Sequence, residues 1–134
     1  MAWRLSDAAR NAAGDGLVDL LDTGGTATIQ IRTGTQPTNA DDAASGTLLA
    51  TLTFSATAWA SFASGTAAAA AITSDTDIDT TGTAGYARLL NGDASTHSDM
   101  DIGEGAGTLS FDDADFIAGG TAAITSMSIT QPAE

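Results

Sequence analysis

Gly25-Thr26-Ala27-Thr28-Ile29-Gln30-Ile31-Arg32-Thr33-Gly34-Thr35 is the stretch whose reading decides the fold. Ala27, Ile29 and Ile31 alternate with threonine and glutamine, the two-residue period of a strand with one face turned to a core. Gly-Thr pairs bracket the stretch, and the same pair recurs at positions 25, 34, 46, 65, 82, 107 and 120. Glycine supplies the positive φ of a turn, and the β-branched threonine favours the extended chain that follows. Most of these pairs therefore mark strand starts. Their spacing is irregular and the residues between them do not match, so they do not define an internal repeat.

Working outward, Leu48, Ala50, Leu52 and Phe54 share one face of a second strand, with threonines opposite. Further strands are expected at 59–62, 66–73, 84–90, 98–102, 108–111 and 121–130, which makes about eight. The longest uninterrupted loop, 35–45, contains Pro37, Asn39, Asp41 and Asp42 and is expected to be an exposed excursion. Upstream, residues 5–21 read as an amphipathic helix capped by Ser6, with Asp7 at the positive end of its dipole. Ala9, Ala13, Leu17, Leu20 and Leu21 follow helical spacing and form the expected inner face. Gly14 and Gly16 each weaken such a helix by about 1 kcal/mol relative to alanine, so it needs a surface to lie on. The pattern predicts a mainly β protein, an antiparallel two-sheet sandwich, jelly-roll-like, preceded by one N-terminal helix. It divides into an arm and helix over 1–24 and a β-sandwich domain over 25–134.

The chain has 134 residues, 17 acidic side chains against four arginines, no lysine and a formal charge of −13. Surfaces that follow phosphate backbones need clustered positive charge, so neither nucleic acid nor an anionic membrane is expected as a partner. The longest apolar run, 67–72, is far too short to cross a bilayer as a helix. With no cysteine, disulfide frameworks and thiolate metal sites are excluded. Two Trp, one Tyr and four Phe leave a thin core, much of it alanine.

Candidates for chemistry are few. His97 is the only histidine, and a neighbouring serine and aspartate are unremarkable in so Ser- and Asp-rich a chain. Asp112, Asp113 and Asp115, or Asp99, Asp101 and Glu104, supply paired carboxylates but few aromatic platforms for a sugar. Asp75, Asp77 and Asp79 stand at i, i+2 and i+4 like the first ligands of a calcium loop. The loop's glycine is displaced to Gly82 and its closing glutamate is missing, so the alternative is a solvated strand face. Gly103-Glu104-Gly105-Ala106-Gly107 lacks the lysine and the following helix of a phosphate cradle. The expectation is a non-enzyme without catalytic residues, cofactor or resident metal.

The segments Arg4-Leu5-Ser6-Asp7-Ala8-Ala9-Arg10-Asn11-Ala12, Leu17-Val18-Asp19-Leu20-Leu21-Asp22, Ile31-Arg32-Thr33-Gly34-Thr35-Gln36-Pro37 and Gly46-Thr47-Leu48-Leu49-Ala50-Thr51-Leu52 form a set. With the tail Ile117-Ala118-Gly119-Gly120 to Thr130-Gln131-Pro132, that set resembles a family of small tailed-bacteriophage structural proteins. The resemblance spans nearly the whole chain and implies a virion protein of the capsid decoration or cement type on the outer capsid surface. It implies the major capsid protein as partner, a homo-oligomer, expected as a trimer, and no catalytic residues. Trp3, Arg4 and Leu5, with Gln36 and Pro37 on the long loop, are the expected interface, because Trp and Arg are hot-spot types placed outside the predicted core. A tail, collar or head-fibre component is one alternative. Another is a calcium-assisted carbohydrate-binding module for host adsorption, with Trp3, Trp59 or Tyr86 as sugar platform.

Overall fold

A computed structural model describes residues 3–104, 109–111, 114–124 and 126–131. Among the described residues, helix α1 (Asp7–Leu21) precedes eight strands: β1 (Thr28–Thr33), β2 (Leu48–Thr53), β3 (Thr66–Ala68), β4 (Gly82–Leu90), β5 (Thr96–Glu104), β6 (Leu109–Phe111), β7 (Asp115–Phe116) and β8 (Ser128–Thr130). The protein is mainly β with one N-terminal helix, as the alternation predicts. One large sheet runs β2-β1-β4-β5-β6 with β7 added on β4, and a small sheet pairs β3 with β8. Pairing is antiparallel except between β5 and β6, which run parallel. The two layers share one core: Ile29, Ile31, Leu52 and Leu89 come from the large sheet, Ala67 from the small one, and Val18, Leu21, Phe54, Trp59 and Phe62 from α1 and the segment after β2.

The quoted stretch lies at the centre. In β1, Ile29 is opposite Leu52 on one side and Leu89 on the other, and Ile31 is opposite Ala50 and Ala87. A one-residue slip would turn every one of these apolar side chains to the opposite face, which fixes the register. A bulge between Ile31 and Arg32 pairs Arg32 with Leu48, and past it Leu49 is fully buried while Leu48 is only half-buried. The strict alternation expected from Leu48 to Phe54 therefore breaks at its first member.

The helix is rotated from its expected orientation. Leu21 is buried, but Ala9, Ala13, Leu17 and Leu20 are exposed, and the inner face is Gly14, Val18 and Leu21. Polar anchoring and a missing side chain set this rotation. Asn11, Asp15 and Asp22 accept hydrogen bonds from the backbone N–H groups of Gly65, Phe62 and Ala58 at 2.9, 2.7 and 2.8 Å. At Gly14 the Phe62 ring lies so close to the helix that an added Cβ would come within 2.6 Å of three ring carbons. Burial of three donors without partners would cost more than the outward turn of two leucines. Ser6 caps the helix as expected, its hydroxyl accepting from Ala9 N at 3.2 Å.

Three expected strands are shorter than the sequence suggests. Residues 59–62 form no strand, and Trp59 makes only an isolated bridge to Ala69. The alanine run after Thr66 holds strand pairing for three residues, and 121–130 contributes only β8 plus a bridge from Ala122 to Asp75. Alanine has little side-chain surface to pack across a ladder, so these pairings lapse early. The short β7 was not foreseen.

Candidate docking surface

The expected interface residues fall into two separate groups. Trp3 is 80% exposed and Arg4 is exposed on the arm ahead of α1, with Leu5 half-buried. Gln36 is exposed and Pro37 half-buried in the loop between β1 and β2. Along β4, Ala87 and Leu89 join the core with Val18 and Leu21, whereas Tyr86 and Arg88 on the opposite face reach the loop. The helix and the loop segment around Asp42 and Ser45 thus lie against opposite faces of the large sheet.

That loop is largely exposed, as expected, and it is also a strap tied to the sheet. Tyr86 Oη donates to Ser45 O at 2.8 Å and accepts from Ser45 N at 2.9 Å. Arg32 Nε donates to the same carbonyl at 3.0 Å, and Arg32 Nη2 to Gly46 O at 3.3 Å. Arg88 grips Asp99, its direct cross-strand partner, through Nε and Nη2 at 2.7 and 2.8 Å, and gives Nη1 to Asp42 O at 2.9 Å. Both side chains of this ion pair are only 4% exposed. The hydrogen bonds that Arg88 donates to Asp99 raise the pKa of its guanidinium above the ordinary value, outweighing the opposing effect of burial. Two of the four arginines therefore hold the strap and serve structure.

The carboxylates do not assemble a site among the described residues. Asp75 accepts from Thr51 N at 2.9 Å and from Asp77 N at 3.0 Å, so it covers the outer edge of β2. Thr73 and Asp79 extend that cover through Thr53 and Leu49. An unpaired edge invites pairing with another chain, and the acidic run blocks it. Among the described residues no group of three or more potential ligands converges on a metal position. Asp115 accepts from Thr83 Oγ1 at 2.6 Å. The side chains of Asp112, Asp113 and Glu104, and the turn at 105–107, lie outside the described residues.

His97 joins α1 to β5. Its Nε2 donates to Leu17 O at 2.7 Å, and its Nδ1 lies 2.9 Å from Ser98 Oγ. A carbonyl only accepts, so the proton on Nε2 is fixed by this contact. Trp59 and Tyr86 are buried at 5% and 0% exposure, which leaves Trp3 as the one exposed member of the three expected sugar platforms.

Among the described residues, Trp3, Leu17, Leu20 and Ile117 are the exposed large hydrophobic ones. Beside Leu17 opens a pocket of about 190 Å³ between the edge of β5, the end of β8 and α1, with apolar walls from Val18, Trp59, Phe62, Leu89, Met100 and Ile129 and polar ones from His97, Ser98, Asp99, Thr130 and Gln131. It is smaller than the roughly 300–1,000 Å³ of small-molecule sites. Sequence spacing revealed the Ala13-Leu17-Leu20 stripe but assigned it to the core. The pocket, assembled from four distant segments, had no local signal. No family model matches the chain, nor does any curated protein or solved structure.

Proposed function

We propose that this is a structural protein of a tailed-phage virion that decorates and stabilises the outer capsid surface by binding the major capsid protein. The observation that supports this reading best is the arm: Trp3, the most exposed large hydrophobic side chain among the described residues, stands beside Arg4 and outside the core. A tryptophan buries roughly 150–250 Å² on docking, about 4–6 kcal/mol at 25 cal/mol/Å² before ordering costs. Repeated over a shell, such an anchor stabilises without turnover. The charge of −13 suits an outer surface facing away from packaged nucleic acid, where it favours solubility. Small Thr- and Ala-rich faces lose little rotamer entropy on docking.

The test is attachment to purified shells by co-sedimentation. Truncation must stop before Ser6, because Ser6 caps α1 and Arg10 Nε holds Gln131 O at 3.0 Å. Removal of residues 1–5 is expected to abolish attachment with the circular dichroism spectrum unchanged. Wild-type attachment after this truncation contradicts the proposal.

A further inference from the structure

We infer that Ser98 and His97 form a nucleophile and its base in the pocket beside Leu17, and that Ser98 accepts acyl groups from small apolar esters. This activity is separate from the arm and requires neither a shell nor a second copy of the chain. Register brings the two side chains together. Neighbouring residues on a regular strand point to opposite faces, so a serine next to a histidine is normally out of its reach. Here Leu89 is opposite Ser98 while Leu90 is opposite Thr96, which leaves His97 as the extra residue of a bulge. Ser98 shares the face of Leu89, the one that carries α1, and the His97 ring meets both the helix and Ser98 on that side.

The hydrogen bonds fix the roles. Because Leu17 O only accepts, Nε2 of the neutral His97 ring carries the proton at 2.7 Å, and Nδ1 keeps its lone pair. Ser98 Oγ, 2.9 Å away, therefore donates to Nδ1. A nucleophile, a base and a third group that orients the base are thereby linked, the arrangement that activates a hydroxyl for acyl transfer. The third group is a backbone carbonyl of α1 in place of a carboxylate. An oxyanion donor stands next in the chain. Phe54 N donates to Ala27 O, so Ala27 and its alternates in β1 bond toward β2, and Thr28 and its alternates bond toward β4. Carried through the pairs Thr28 with Leu90 and Leu89 with Ser98, this alternation turns Ser98 toward β4 and the N–H of Asp99 out of the β5 edge, ahead of the stretch paired with β6. The residue after the nucleophile is a recurrent source of such a donor. The Asp99 carboxylate does not oppose it, because it is neutralised by Arg88 on the other face of the sheet.

The pocket supplies the substrate class. Ser98 and His97 line it together with Val18, Trp59, Leu89 and Met100, so the hydroxyl opens on a mainly apolar cavity of about 190 Å³. That room suits a short acyl chain or a single ring and not a drug-sized ligand. Its described lining holds no arginine, so a neutral ester suits it better than an anion. In the reaction Ser98 Oγ attacks the carbonyl carbon as its proton passes to His97 Nδ1, the ester C–O bond breaks, and that proton leaves with the departing alcohol. Water then adds to the acyl-serine by the same route, which releases the acid and restores Ser98.

The experiment treats the full chain with phenylmethylsulfonyl fluoride, which sulfonylates an activated serine with loss of fluoride, and maps the adduct by mass spectrometry. Hydrolysis of p-nitrophenyl acetate is followed in parallel. Ser98 is expected to take the label ahead of every other serine and to lose this preference in denaturing urea. His97→Gln keeps an N–H for Leu17 O but has no base, and should slow labelling at least about 100-fold. Ser98→Ala removes one hydroxyl from a half-buried position and should abolish the hydrolysis that the folded chain shows above the denatured one. Labels spread over exposed serines, equal labelling of Ser98 in H97Q, or hydrolysis unchanged in S98A, with His97 itself as the nucleophile, would each overturn the inference. Should H97Q fail to fold, the wild type still decides: an unlabelled Ser98 in the folded chain contradicts the assignment. Attachment to shells enters none of these readouts, so decoration stands or falls separately.

Discussion

Replacement of Gly14 by alanine sets two physical effects of similar size against each other. In a free helix the substitution stabilises by about 1 kcal/mol. Here the new Cβ meets Phe62 Cδ1, Cδ2 and Cε1 at 2.6 Å, about 1 Å inside ordinary contact. The ring is 6% exposed and packed in the core, and α1 is tied on either side by Asn11 and Asp15, so neither partner moves freely. Overpacking of this kind costs about 1–3 kcal/mol. The net expectation is a loss of up to about 2 kcal/mol, near 3–4 °C per kcal/mol in a chain of this length. Gly16→Ala is the internal control, because nothing lies within 4 Å of its Cβ position. It should raise the melting temperature by about 3 °C. Thermal denaturation followed by circular dichroism measures both, and Phe62→Leu in the Gly14→Ala background should recover part of the loss. Equal stabilisation by both alanines would refute the close approach of Phe62 to the helix.

Other perturbations separate the remaining contacts. Arg88→Met alone leaves Asp99 buried without its partner and should cost about 3–5 kcal/mol in urea denaturation, whereas Arg88→Met with Asp99→Leu should lose much less. Because the pKa of Arg88 is raised in the fold, its contribution is complete at every pH below the ordinary arginine range and is lost only as pH rises through the higher folded value. The Arg88 contribution to stability should therefore be level from about pH 6 to 10. Tyr86→Phe removes both bonds to Ser45 and should speed hydrogen exchange and proteolysis in 35–46 before the sheet opens. Titration with calcium should produce no heat and no melting shift, since Asp75 is committed to Thr51 N and Asp77 N.

The architecture was legible where one residue type performs one task. The alternation in β1 named Ile29 and Ile31 as buried, and both are at 0% exposure. Gly-Thr at 65 and 82 does mark strand starts, at β3 and β4. Rotation of α1 was not legible, because hydrophobic spacing offered Leu17 and Leu20 while the deciding contacts came from Asn11, Asp15 and Asp22 to backbone donors 36 to 54 residues away. Gly14 likewise reads as a weak point in a helix until Phe62 is seen against it. The Asp75-Thr76-Asp77-Ile78-Asp79 run could be read as calcium ligands or as a solvated face, and its observed task, closing the edge of β2, depends on a pairing that no local pattern announces. The exposure of Trp3 was legible from its place ahead of the helix, whereas the pocket draws on α1, the 59–62 segment, β4–β5 and β8 and exists only once they pack.

The proposed role in decoration requires this protein to be a many-copy element of a shell. Quantitative mass spectrometry of purified particles, giving its copy number relative to the major capsid protein, tests that claim most directly. Hundreds of copies per particle, in fixed proportion to the shell subunit, are predicted; a dozen or fewer would place it in the tail or collar and contradict the account.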